Sequence, residues 1–83
     1  MEVCVLIRLD RDEVGARTNL VVRAFSTQAA AKDAMKKDFD KVKKERYPKD
    51  EDIFADVFDE TYAYVCGTDD TDVNWDIKSA TVE

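Results

Sequence analysis

Val3, Val5, Ile7 and Leu9 alternate with Glu2, Cys4, Leu6 and Arg8, the two-residue period of a strand with one strongly apolar face. The charged stretch 10–19 contains Gly15 and has no period, so it reads as a long hairpin loop. A β-rich run at 20–25 completes an N-terminal hairpin. The period then changes to 3.6: Ala31, Met35, Phe39 and Val42 fall on one stripe that also admits Ala30 and Ala34. Ser26 or Thr27 can cap this helix and Pro48 stops it, which gives bounds of 27–46. With Ser26 as the cap, Phe25 and Ala30 take the two positions of a hydrophobic staple. Asp33 with Lys37, and Asp40 with Lys44, have the acid-first spacing of surface ion pairs.

An acidic linker follows Pro48. Segment 53–58 alternates like a strand, although Ile53, Phe54, Val57 and Phe58 also group on a helical turn; strand is the preferred reading. Asp59 and Glu60 mark a bulge or break, 61–66 is β-branched and aromatic, and Gly67 opens an acidic turn. Val73, Trp75 and Ile77 alternate with Asn74, Asp76 and Lys78 in a last strand. The order β-β-α-β-β predicts an α+β domain, a four-stranded antiparallel sheet with one amphipathic helix packed on one face.

Parity along the strands carries a further expectation. If Val3, Val5, Ile7, Ala63, Val65, Trp75 and Ile77 face the helix, then Cys4, Leu6, Tyr62, Tyr64 and Phe25 face a side that no helix covers. Open antiparallel sheets are usually polar there. Two readings stand: a partner uses the uncovered face, or loops and segment 53–58 fold over it.

Composition bounds these readings. Eighty-three residues suit one domain, and 45% hydrophobic residues with two Gly and one Pro indicate a globular chain. The longest apolar run, residues 3–7, is too short for a membrane span or a signal-peptide core, which leads to the expectation of a cytosolic protein. Cys4 and Cys66 then read as reduced, half-buried thiols, with a disulfide the minority reading.

Charge is distributed unevenly. Residues 1–26 are neutral, residues 27–49 carry +4, and residues 50–83 carry −10, within a net charge of −6. Ten carboxylates lie within 50–77 without one Lys or Arg. Asp70, Asp72, Asn74 and Asp76 sit at every second position, an oxygen row of the kind a hard cation prefers, and they mimic the start of an EF-hand loop. Trp75 stands where that loop needs glycine and Thr81 where it needs a bidentate Glu, so a solvated hairpin end is the plainer reading. No His is present, Ser26 and Ser79 therefore lack a base, and neither Cys has an evident activating cation, which argues against an enzyme. The Lys-rich helix reads as a solvated face, and the net charge disfavours nucleic acid as a partner.

The hairpin, the Phe25-Ser26-Thr27 start of the helix, and the terminal strand carrying Trp75 and Ile77 resemble small uncharacterised proteins encoded by bacteria and their phages. The resemblance spans most of the chain and brings no activity or site with it. It is compatible with small acidic phage-borne inhibitors.

The expectation from these readings is a non-enzymatic interaction module without cofactor. It binds another protein, or itself as a homodimer, through the open sheet face and the acidic C-terminal hairpin. Leu6, Tyr62 and Tyr64 would supply apolar contact, and Asp69, Asp70, Asp72 and Asp76 steering. The alternatives are a phosphate mimic that inhibits a DNA- or RNA-binding protein, and a weak divalent-cation binder.

Overall fold

The computed structural model describes residues 2–12 and 17–81. The strands are β1 (Glu2–Arg11), β2 (Arg17–Phe25), β3 (Ile53–Phe58), β4 (Tyr62–Gly67) and β5 (Asp72–Thr81). One helix, α1 (Gln28–Arg46), lies between β2 and β3. All strand pairs are antiparallel, in the order β2-β1-β5-β4-β3. The chain leaves the sheet at one edge, runs along the helix, and re-enters at the other.

The α+β class stands, but the sheet has five strands and not four. Asp59 and Glu60 are a reversal rather than a bulge. The Asp59 amide donates to the Tyr62 carbonyl at 2.7 Å and the Glu60 amide to the Asp59 carboxylate at 2.8 Å, so the chain doubles back. The bulge sits earlier, between Ile53 and Ala55, where Phe54 is the extra residue. Segment 53–58 is therefore a strand of the sheet and does not fold over its open face. The first hairpin is also tighter than its charge pattern implied, since β1 continues through Arg11 and β2 starts at Arg17. Gly15 lies outside the described residues.

Helix α1 forms where the 3.6 period lies. Thr27 is the cap, its hydroxyl accepting from the Ala30 amide at 3.1 Å, which removes the Phe25/Ala30 staple that a Ser26 cap would give. Ala31, Met35, Phe39 and Val42 are buried. Asp33 pairs with Lys37 as expected, whereas Asp40 pairs with Lys36 and not Lys44.

The core joins that stripe to Leu6, Ala63, Val65, Val73, Trp75 and Ile77, with Tyr47 at the helix exit. Phe39 meets Trp75 edge-on at 5.6 Å and Phe58 at 5.4 Å between ring centroids. The register corrects the expected parity of β1: Leu6 lies opposite Ile77, Arg8 opposite Trp75 and Asp10 opposite Val73. Leu6, Cys4, Arg8 and Asp10 thus point toward the helix, and Phe25, opposite Cys4, packs on the same side. Val3, Val5, Ile7 and Leu9 take the open face. The reason is a set of polar partners on the helix side. Arg8 reaches Asp10 and Asp38, Arg46 reaches Asp10, and Trp75 Nε1 donates to Asp38 at 2.8 Å.

Candidate interaction surface

Because side chains alternate, the register fixes what the open face carries. On β1 it is Val3, Val5, Ile7 and Leu9, and on β2 Leu20, Val22 and Ala24. β5 contributes Asp72, Asn74, Asp76 and Lys78 between this stripe and Tyr62, Tyr64 and Cys66 of β4. Val57 of β3 completes the row beside Tyr64. Leu20, Val22 and Val57 are 49%, 58% and 48% exposed, so the apolar surface reaches solvent on both sides of the polar row. β-branched side chains suit these pleated positions, which explains why the stripe forms regular strands although it lies outside the core.

Of the expected contact residues, Tyr62, Tyr64, Asp72 and Asp76 do share this face. Leu6 does not: it is 4% exposed and packs under α1. Asp69 and Asp70 sit in the β4–β5 turn at the end of the sheet. The Asp69 carboxylate accepts from the Thr71 hydroxyl at 2.6 Å and amide at 3.1 Å, which hold it below the usual carboxylate range. Asp70 adopts a left-handed conformation, φ 67°, which Asp tolerates better than most residues.

The polar row is internally bonded. Asn74 Nδ2 donates to Asp72 Oδ1 at 3.0 Å, and the Tyr62 hydroxyl approaches Asn74 Oδ1 at 3.4 Å. Hydrogen bonding with Cys66, burial, and the nearby Cys66 and Asp72 charges push the Tyr64 phenol up to about 12. It therefore stays protonated near neutral pH and is available as a donor. Asp72, Asn74 and Asp76 point the same way, as their spacing implied, while Asp70 lies outside the strand in the turn. Among the described residues no group of three or more His, Cys, Asp or Glu is placed to hold a metal ion.

The rest of the acidic third is dispersed. Asp52 accepts from the Lys49 amide beside a 3-10 turn at Asp50–Asp52, Asp56 pairs with Lys43 at 2.6 Å, and Glu60 pairs with Lys32 at 2.6 Å. Cys4 and Cys66 are free and lie on opposite faces of the sheet, on strands β1 and β4 that are separated by β5, so they cannot bridge. No helix among the described residues is long and apolar enough to cross a membrane.

The open-face stripe of β1 and β2 is what the sequence reading missed. Its signal was present: Arg8 and Asp10 mark one row of β1 as needing polar partners, and the other row is purely apolar. No family model, no curated protein and no solved structure matches this chain.

Proposed function

We propose that this chain is a non-enzymatic protein–protein interaction module that self-associates through the open face of its sheet. One observation carries the reading: an apolar stripe of Val3, Val5, Ile7, Leu9, Leu20 and Val22 lies uncovered beside Asp76 and Lys78. Apolar faces of this kind mark interfaces, and covering one removes the stripe from water.

Charge complementarity favours a second copy as the occupant. Asp76 is opposite Ile7 and Lys78 opposite Val5, all four on the open face. A two-fold axis across the strands, midway between these pairs, sets Asp76 over Lys78 of the second copy and Lys78 over its Asp76. The same operation sets Val5 over Ile7. One patch thus satisfies itself, as an isologous dimer requires. The ion pairs would define register, and the stripe would supply most of the free energy. The phosphate-mimic reading gains less from this arrangement, because Asp56 and Glu60 are already matched by helix lysines.

Sedimentation equilibrium from micromolar to millimolar protein tests the proposal. The expected result is a dimer that Val5→Asp converts to a folded monomer. Asp76→Lys should weaken it, and adding Lys78→Asp should restore it. A monomer throughout the range, or a dimer indifferent to Val5→Asp, overturns the reading.

A further inference from the structure

The two edges of the sheet differ. β3 is six residues long, bulged at Phe54, and carries Asp56 tied to Lys43. Short length, bulges and edge charges are the usual defences against unwanted strand pairing. β2 is less defended: it is nine residues long, and its register shift lies at its start, where Asp10 faces Asn19 and Arg11 faces Arg17. Over residues 19–25 the register against β1 runs unbroken, with Arg23 as the only charge. Among the described residues its outer backbone edge pairs with no strand.

Beside that edge runs a groove of ≈ 470 Å³, with Arg23 and Phe25 on its sheet side and Ala30, Ala34, Lys37 and Lys41 along the helix. The helical residues are spaced by about one turn, and alanine at 30 and 34 keeps the helix wall low, leaving room for side chains beside β2. Asp33 and Asp38 also line the groove but are engaged. Asp33 pairs with Lys37 at 3.0 Å, and Asp38 accepts from Arg8 and Trp75. Among the described residues neither Arg23 nor Lys41 pairs with a carboxylate; the Arg23 guanidinium instead lies 5.1 Å from the Phe25 ring centroid. A chain of net charge −6 therefore keeps two cations without a carboxylate partner along the groove beside β2.

We infer that β2 and the adjoining α1 groove bind an extended acidic segment of a partner protein, which adds to the sheet as a sixth strand. Backbone hydrogen bonds along β2 give the affinity, and alternate side chains entering the groove meet Arg23 and Lys41, the combination by which open sheet edges recognise peptides. A second β2 is a poor occupant. The strand carries no acid, so pairing with its own copy offers Arg23 no carboxylate. This surface is separate from the open face, and its test does not depend on self-association.

The probes are a fluorescein-labelled peptide of alternating Val and Glu, its Val/Lys counterpart, and versions of the first methylated at single backbone nitrogens, read by fluorescence anisotropy. The Val/Glu peptide should bind and the Val/Lys peptide should not. Arg23→Glu with Lys41→Glu, both solvent-exposed positions whose folding circular dichroism checks, should weaken binding at least tenfold. Methylation at alternate nitrogens should abolish binding while methylation between them does not, a pattern that only strand addition produces and that leaves the protein unaltered. Absence of binding at millimolar protein, equal binding of both peptides, or uniform tolerance of methylation overturns the inference. Hydrogen-exchange protection of β2 that grows with protein concentration alone assigns the edge to a second copy and also overturns it.

Discussion

Arg8 and Asp10 meet side-on beneath the helix: Nε and Nη2 of Arg8 donate to the two Asp10 oxygens at 2.8 and 3.0 Å. Nη1 of the same guanidinium donates to both Asp38 oxygens at 3.0 Å, and Arg46 adds a bond to Asp10 at 2.8 Å. Asp10 is 1% exposed, and the described residues contain no buried side-chain polar atom without a partner. A buried carboxylate survives only with such pairing, and removing one partner exposes the desolvation cost of the other. Asp10→Asn is therefore expected to lower stability by about 3 kcal/mol. Replacing both members, Arg8→Met with Asp10→Leu, should cost less than Asp10→Asn alone. Urea denaturation followed by circular dichroism measures both; a double substitution worse than the single one would refute the pairing argument.

Acid should weaken the fold through the same carboxylate. Burial by itself would raise the Asp10 carboxyl, but hydrogen bonds and charge from Arg8 and Arg46 outweigh it and hold the group below its ordinary 3.8. A carboxyl lowered in the folded state contributes stability that is fully present above its unfolded value and is lost as pH falls through its folded value. Stability should thus hold from neutrality to about pH 5 and decline below about pH 4, with Asp10→Asn showing a shallower decline. Unfolding free energies at a series of pH values decide this; parallel curves for the two proteins would remove Asp10 as the cause.

Local rules made much of the fold legible. The Ala31, Met35, Phe39 and Val42 stripe, a cap at Ser26 or Thr27, and the strand at 53–58 all follow from spacing and end chemistry within a few residues. Two features depend on distant partners. Asp59 and Glu60 look alike as a bulge or a reversal until Tyr62 is seen to accept from Asp59. The facing of β1 is settled by Asp38, Arg46 and Trp75, each at least 30 positions from the residue it bonds. The odd row of β1 is purely apolar while the even row carries Arg8 and Asp10 beside Cys4 and Leu6, so hydrophobicity alone favours the odd row for the core and puts Leu6 on the wrong side. The face taken by Tyr62, Tyr64, Asp72 and Asp76 is legible because β4 and β5 each have one clearly smaller or more polar row.

Adjacent substitutions on β1 should separate fold from surface. Leu6 is buried against Ile77 and the helix, and Val5 is half-buried on the open face. Leu6→Asp puts an unpaired charge into the core and should unfold the domain or cost several kcal/mol. Val5→Asp should keep the circular dichroism spectrum and cost less than half as much. Comparable losses at both positions would contradict the assigned facing.

Gly67 and Tyr47 make a contact whose requirement is space. A Cβ at position 67 would overlap the Tyr47 ring edge and the Asp69 carboxylate. The ring is held there, 4% exposed, by a 2.6 Å bond between its hydroxyl and Thr71 Oγ1, which also bonds Asp69. Burial raises the Tyr47 phenol against the opposing effect of that bond, so the group remains a neutral phenol at neutral pH. Gly67→Ala must shift the ring or the turn and is expected to cost about 2 kcal/mol. If ring overlap is the cause, the cost should shrink in a Tyr47→Leu background, with a coupling of roughly 1 kcal/mol in a double-mutant cycle. Trp75, the only tryptophan and fully buried, gives the fluorescence signal for all four proteins. An undiminished cost in the Tyr47→Leu background would shift the requirement from the ring to the Asp69 turn, where Asp69→Ala should then relieve it.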